Sequence, residues 1–335
     1  MVLRFSYAFR DGLRLAKRLK PLRLLNFLLF KAGIWLSRLS GRVVVAGRAY
    51  SVSAEVAGIC NLRCPGCMIG RGETQRNNKL MTTLTFKAIV ERHRKHSFYL
   101  NLYFQGEPFL NPELQDLVSV ASSNGFYTCI STNGHFLDDL RCRELIRAGL
   151  DRVVVSLDGL DQESYSFYRI GGSFQKVVLG LETLAKTRRE EKRQNPLIVL
   201  QFLVNRKNEG QIGGLKEFAE QIGADVLELK SMQVYDEQGA DAFLPSLAGF
   251  NRYRQWLNGK PKFLQPGTGP CGRLWSHVVY TADGVQVPCC YDKIPEHPLG
   301  TISGEDPWFS PEMNAFRKRV MVRREDTGIC CNCGR

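Results

Sequence analysis

Three of the chain's eleven cysteines stand within eight residues: Cys60, Cys64 and Cys67, in the stretch CNLRCPGC, spaced C-x3-C-x2-C. A structural zinc ion takes four ligands. This stretch supplies three, and the closest histidine is His93. Three thiolates can instead hold a [4Fe–4S] cluster by three of its irons and leave the fourth iron open to an outside ligand. A second group lies near the C-terminus: Cys271, the adjacent pair Cys289 and Cys290, and Cys330, Cys331 and Cys333. The segment TADG (281–284) is a hairpin turn signal that brings Cys271 and Cys289 side by side on paired strands. Cys330 and Cys333 form C-x2-C, so four thiolates are available, enough to coordinate one [4Fe–4S] cluster fully. A zinc site is the alternative for each group. Cys129 and Cys142 fall inside a strand and a helix and read as packed small apolar residues.

The elements that must position these thiols are legible from residue 50 onward. Short β-branched or aromatic runs at 50–58, 97–106, 126–134, 151–159, 197–205 and 225–232 alternate with helical stretches such as 112–124, 137–149, 175–193 and 211–222. Six βα units in succession predict an α/β fold with a parallel sheet, a partial (β/α)6 TIM-like barrel with its helices outside. Chemistry in such folds gathers where the strands end. Several of these runs end in a polar turn punctuated by glycine: QGEP (105–108), STNG (131–134) and SLDG (156–159). The three-cysteine loop follows the first run in the same way. From about residue 262 glycine, proline and cysteine rise and helical periodicity fades until 310–325, which reads as a small cysteine-rich α+β module. The organisation is thus an arm over 1–49, the barrel over 50–235, a linker over 236–261 and the module over 262–335.

With 335 residues, 44% apolar and 24% charged, the chain can bury a large core and has the composition of a folded protein. Its odd number of clustered cysteines fits metal binding in a reducing cytosol better than a disulfide scaffold. The net charge of +13 is concentrated. Residues 1–50 hold eleven Lys and Arg against one acid, Asp11, a net of +10, so the remaining 285 residues carry +3. A nearly balanced body argues against nucleic acid as the partner. In the arm, PLRLLNFLLFKAGIWLSRL (21–39) is strongly apolar but broken by Arg23, Lys31 and Arg38, too interrupted to cross a bilayer. Two readings stay open for residues 1–45. One is peripheral contact with the inner face of the membrane. The other is a pair of helices packed on the main domain.

C-x3-C-x2-C after the first strand, followed by these turns, resembles the radical S-adenosylmethionine superfamily over residues 50–235. The resemblance implies that the cluster on Cys60, Cys64 and Cys67 binds S-adenosylmethionine at its open iron and cleaves it reductively to a 5′-deoxyadenosyl radical. That radical removes hydrogen from unactivated carbon. In QGEP, Gln105 and Gly106 match the family's glycine-glutamate motif, and Glu107 is implied to take up the methionine amino group. Ser131 and Asn133 match a ribose-contacting turn. Ser156 and Asp158 lie where the next strand often contributes, and Arg169 in YRIGG is a partner for the methionine carboxylate. The residue before the third cysteine is often aromatic in this family. Here it is Gly66, so the adenine contact must come from elsewhere.

The C-terminal segment resembles the auxiliary-cluster modules called SPASM and twitch. Cys271, Gly284 and Cys289 match the start of such a module, and the shorter twitch-like arrangement with one second, auxiliary [4Fe–4S] cluster fits the cysteines present. Cys271, Cys289, Cys330 and Cys333 are its implied ligands; Cys290 and Cys331 adjoin two of them. In anaerobic sulfatase-maturating enzymes an aspartate base follows the corresponding hairpin cysteine, and Cys290 stands there instead. Asp292 and Lys230 are local substitutes. The resemblance implies a flavodoxin- or ferredoxin-type electron donor. It leaves two enzyme readings, oxidation or cross-linking of a small or membrane-associated metabolite and modification of a peptide or protein. A non-catalytic iron or zinc protein that binds nucleic acid is the third reading.

Overall fold

The computed structural model describes all residues except 1, 4, 75–78, 258–259, 264–268 and 334–335. Its frame is a ten-stranded sheet. A two-residue strand, β1 (Val2–Leu3), precedes two arm helices, α1 (Phe5–Lys17) and α2 (Pro21–Ser40). The barrel strands follow: β2 (Ser51–Ala54), β3 (Tyr99–Asn101), β4 (Tyr127–Thr132), β5 (Arg152–Ser156), β6 (Leu197–Val204) and β7 (Val226–Ser231). Each is parallel to its neighbour. Between them run α3 (Thr83–His93), α4 (Leu114–Ser123), α5 (Asp139–Arg147), α6 (Gln162–Tyr168), α7 (Phe174–Glu190) and α8 (Leu215–Gln221). The sheet curves without closing on itself, an open partial barrel.

Local sequence explains where the helices begin. Thr82, Asp138, Asp161 and Ser173 each accept a hydrogen bond at the N-terminus of α3, α5, α6 and α7 from the backbone N–H three residues on. These side chains satisfy donors that the first turn leaves unpaired. The strands are buried on both faces, as parallel sheets covered by helices must be. Outside, Ile89, Leu117, Ile146, Leu181 and Leu215 pack on Val52, Leu100, Ile130, Val155 and Leu200. Inside, a smaller cluster gathers Cys129, Val154, Val199 and Val226 with Tyr99 and Tyr103 against it.

The cysteine-rich C-terminal region joins the barrel sheet. α9 (Glu237–Phe243) and the strands β8 (Tyr253–Leu257) and β9 (Lys260–Phe263), which pair antiparallel, occupy much of 236–263, so the expected linker carries structure of its own. α10 (Gly272–Ser276) then leads into β10 (His277–Tyr280), which pairs parallel with β2. β11 (Val285–Val287) and β12 (Gly300–Thr301) follow antiparallel, and α11 (Pro311–Val322) packs on α10 and α2. The region after residue 270 therefore extends the barrel sheet at its first strand. The TADG turn forms as expected, with Gly284 at φ 78°. Cys271 and Cys289 flank the hairpin rather than sitting on it: Cys271 immediately precedes α10, and Cys289 follows β11.

The arm docks. Arg23, 2% exposed, donates to the carbonyls of Arg18, Arg94, Asn124 and Gly125. Asn26 donates to the carbonyls of Arg48 and His96 at 3.0 and 3.1 Å and accepts from Arg48 N at 2.7 Å. Phe30, Ile34 and Ser37 continue this buried face toward Trp275 and Leu274. Below the barrel Asp11 accepts from the Tyr127 hydroxyl, and Arg18 pairs with Asp151 at 3.2 Å. No described helix is long and apolar enough to cross a membrane.

Candidate functional site

The barrel strands end where the sequence turns lie, and those turns meet. The cysteine loop is held by local bonds: Cys67 N donates to Cys64 O at 3.1 Å, and Arg63 N to Ile170 O at 3.0 Å after α6. Burial pushes the Cys60 thiol up to about 11 and raises that of Cys64; the neighbouring thiols act on both in the same direction, and the Arg169 guanidinium opposes the rise at Cys64. Buried thiols of this kind stay protonated until a cation takes the proton's place. Thiol-only donor sets suit an iron–sulfur cluster. Among the described residues no three side chains already close on the position of a single metal ion.

Glu107 is the centre of the neighbouring turns. Its carboxylate accepts from Thr132 Oγ1 at 2.7 Å, from Asn133 N at 2.7 Å and from Phe109 N at 3.2 Å, tying the QGEP turn to the STNG turn. Burial nevertheless pushes its carboxyl up to about 7, the three hydrogen bonds opposing. Asn133 Nδ2 donates to Asn61 Oδ1 at 2.7 Å and lies 3.8 Å from Cys60 Sγ. Arg169 Nε donates to Asp158 Oδ2 at 2.5 Å, and its Nη1 lies 3.9 Å from Cys64 Sγ. Asp158 also accepts from Leu203 N at 2.7 Å, so its two oxygens are spent on the fold and on Arg169. Ser156 is buried at the end of β5, and Ser131 lines the central cavity. Gln105 donates to Lys293 O at 2.8 Å, which joins the motif to the C-terminal region.

Gly106 has φ 71°, and a Cβ there would meet Ala57 O at 2.2 Å and Ile59 O at 2.7 Å. Gly106→Ala combines a left-handed backbone with a backbone collision and is expected to destabilise the protein by about 3 kcal/mol or more. A urea midpoint equal to that of the parent would refute it.

Gly66 has a different explanation. A Cβ at Gly66 would lie 2.7 Å from the hydroxyl of Tyr168, so the ring of Tyr168, at the end of α6, fills the space beside the third cysteine. Tyr168 is 6% exposed and lies under the Arg169 guanidinium, 5.5 Å from ring centroid to Cζ. An aromatic from a distant helix stands where a side chain at 66 would be. Its position follows from packing across some hundred residues, which no local pattern reveals.

A cavity of about 440 Å³ opens inside the barrel from Cys67 and Gly106 past Tyr103, Arg152 and Glu228 to Lys293. A second, of about 300 Å³, shares Tyr103, Phe104 and Lys293 with the first and reaches Arg273 and Cys290. Lys293 Nζ is 3.2 Å from Gln233 Oε1 and also bonds the Tyr235 hydroxyl. Burial lowers the pKa of its ammonium. The two residues weighed as bases from sequence differ in placement. Asp292 is buried and accepts from Glu296 N and His297 N at 2.9 and 3.1 Å, shaping its own loop. Lys230 pairs with Glu228 at 3.2 Å, on the wall of the first cavity.

The C-terminal thiols come together around an apolar cluster of Trp275, Met313, Phe316 and Ile329 that contains Cys289 and touches Cys271, Cys290 and Cys330. Burial pushes Cys330 up to about 12, with Cys333 and Cys271 adding to it. Cys290 Sγ accepts from Arg273 Nη1 at 2.8 Å, and Cys331 Sγ turns to the carbonyls of Glu325 and Thr327 at 3.0 and 3.6 Å. Cys129 and Cys142 are buried, the one on the cavity wall and the other in the outer core.

Known proteins share this fold. The chain is similar to BtrN in complex with AdoMet and 2-DOIA at 19% identity, over 85% of this chain and 92% of that one, with a TM-score of 0.51. It is similar to anSMEcpe with bound AdoMet at 19% identity, over 82% and 84%, with a TM-score of 0.60. It is similar to Streptococcus suis SuiB bound to precursor peptide SuiA at 12% identity, over 91% and 73%, with a TM-score of 0.61. At these identities the likeness is one of fold. Family models carry more: that of the Radical SAM superfamily matches residues 55–200, and that of an iron-sulfur cluster-binding domain, SPASM, matches residues 271–334, together more than half of the chain. The chain therefore belongs to the radical SAM superfamily, enzymes that use a [4Fe–4S] cluster and S-adenosylmethionine, and it carries a C-terminal SPASM iron–sulfur cluster-binding domain.

Proposed function

We propose that the protein takes hydrogen from a carbon of a small or membrane-associated metabolite and oxidises or cross-links it. The observation that carries this reading is the pair of cavities sharing Tyr103, Phe104 and Lys293, one reaching Cys67 and the other Cys290. A small polar molecule held there lies between the two cysteine groups.

Cys60, Cys64 and Cys67 hold one cluster in this reading, and Cys271, Cys289, Cys330 and Cys333 the second. Glu107 receives the amino group of S-adenosylmethionine and Arg169 its carboxylate; Gln105, Gly106, Ser131, Asn133, Ser156 and Asp158 shape the rest of that subsite. When bound, these groups supply a hydrogen-abstracting 5′-deoxyadenosyl radical on one side of the substrate and an electron acceptor on the other. A flavodoxin- or ferredoxin-type protein supplies the reducing electron. Lys293 is placed to hold or accept a proton at Nζ, and its lowered pKa suits that task.

A peptide substrate is the second reading, favoured by the precursor peptide bound to SuiB. Extract of cells grown in deuterium oxide separates the two. Its small-molecule and peptide fractions would each be incubated anaerobically with reduced, iron-reconstituted protein and unlabelled S-adenosylmethionine. Deuterium is expected in 5′-deoxyadenosine formed with the small-molecule fraction. Label arising only from the peptide fraction overturns the first reading for the second, and absence of 5′-deoxyadenosine overturns both.

A further inference from the structure

Helix α2 is apolar on two faces, and the fold uses one. Its buried side is the face that carries Arg23, Asn26 and Phe30. Opposite, Leu22, Leu25, Leu28, Trp35, Leu36 and Leu39 are between 41% and 65% exposed. At 3.6 residues per turn these six fall within about 140° of the helix circumference, so they form one continuous strip. Leucines scattered singly over a surface need no explanation, but a strip of this length does.

The charges around the strip identify what it fits. Lys31 and Arg38, two turns apart, run along one border, and both are exposed. Lys17, Lys20 and Arg42 are exposed near its ends. Residues 12–54 contain no Asp or Glu, and Asp11 is already engaged by Tyr127 and lies 3.9 Å from Arg152. A second copy of the chain would bring like charges together across such a face, which costs several kcal/mol. A layer of anionic headgroups over hydrocarbon complements both the charge and the apolar strip. The helix lies along that layer, since no described helix is long and apolar enough to span it.

We infer that the outward face of α2, with Lys31 and Arg38 beside it, docks the protein on an anionic lipid surface. Three of the four carbonyls that bind Arg23 belong to Arg94, Asn124 and Gly125, which lie just before β3 and β4. The docking helix therefore sits where the strands begin, and the QGEP and STNG turns lie where they end. Docking leaves the cavity uncovered, and it holds whether the substrate is a metabolite or a peptide.

The test uses full-length, iron-reconstituted protein and sedimentable vesicles of phosphatidylcholine, with or without phosphatidylglycerol. Binding to the anionic vesicles is expected at low salt and should weaken as salt screens the cations. Tryptophan emission should shift to the blue on binding, and loss of that shift in Trp35→Phe assigns it to Trp35 among the chain's four tryptophans. Leu25→Ser with Leu28→Ser and Leu39→Ser should lower partitioning at least about tenfold, with helix content and iron unchanged. Lys31→Gln with Arg38→Gln should reduce the preference for anionic vesicles, and an unchanged preference would remove these two cations from the docking face. No vesicle binding by the parent overturns the inference, as does equal binding by the serine variant. Self-association of the parent without vesicle binding, abolished in the serine variant, also overturns it and assigns the face to a second copy.

Discussion

Replacing Cys60, Cys64 and Cys67 together by alanine is expected to take the iron of reconstituted protein from about eight atoms to about four and to abolish S-adenosylmethionine cleavage. The expectation follows from the separation of the two thiol groups. The first packs with Leu62, Tyr168 and Met232, the second with Trp275, Met313 and Phe316, and the apolar clusters share no member. Losing the first set leaves the second with its surroundings intact. Alanine is a mild change at these positions, because Cys60 and Cys67 stand at the edge of a packed cluster, Cys64 is a small member of it, and none of the three lies in a strand. Iron falling to zero would mean that the two groups are one site. Cleavage persisting in the variant would remove the first group from the chemistry. Zinc in the remaining site would keep the fold and remove the electron acceptor.

Glu107→Gln is expected to weaken S-adenosylmethionine binding tenfold or more with the iron content unchanged, a charge-assisted contact being worth about 1.5–3 kcal/mol. The carboxylate accepts three hydrogen bonds across its two oxygens. An amide turns one oxygen into a donor facing a donor and also removes the charge that an ammonium group would meet. The pH dependence has a definite sign. Burial raises the Glu107 carboxyl to about 7, so below that pH it is mostly neutral and the ion pair with the ligand is lost. Affinity of the parent should rise as pH is raised through about 7, and the glutamine variant should lack that rise. Equal affinity of the two proteins in an anaerobic binding measurement would take Glu107 out of the site.

Each feature readable from the chain rests on local chemistry. The β-branched runs at 151–159 and 197–205 announce β5 and β6 because strands buried on both faces must be apolar throughout. The Asp and Ser caps announce the helices. The cysteine spacing carries its own geometry, and the glycine in QGEP marks a backbone that no other residue tolerates there. What escaped depends on contacts between distant segments. Arg23 reads as an interruption of an apolar helix, yet four carbonyls from three separate loops satisfy it in the interior. Tyr168 carries no local signal, and only folding sets it beside Gly66. Lys293 lies in a loop of no distinctive pattern, and its place between two cavities comes from β7 and the C-terminal loop converging on it. Asp292 looked available for proton transfer because its sequence position says nothing of the two N–H groups that claim it.

The pairing of β10 with β2 bears on how the protein is made. β2 directly precedes the loop of Cys60, Cys64 and Cys67, and one of its two neighbours in the sheet, β10, begins at His277. A ribosome delivers that neighbour only after the whole barrel has been synthesised, and pairing across so long a span is slow because the intervening chain must first be brought together. Until then the strand that leads into the thiols has an open edge, and the loop after it is freer than in the finished protein. The newborn chain thus passes through an interval in which the first cysteine group is accessible while the second does not yet exist. Arrival of the C-terminal hairpin then covers the edge of β2 and moves the edge of the sheet out to β12, away from the cysteine loop.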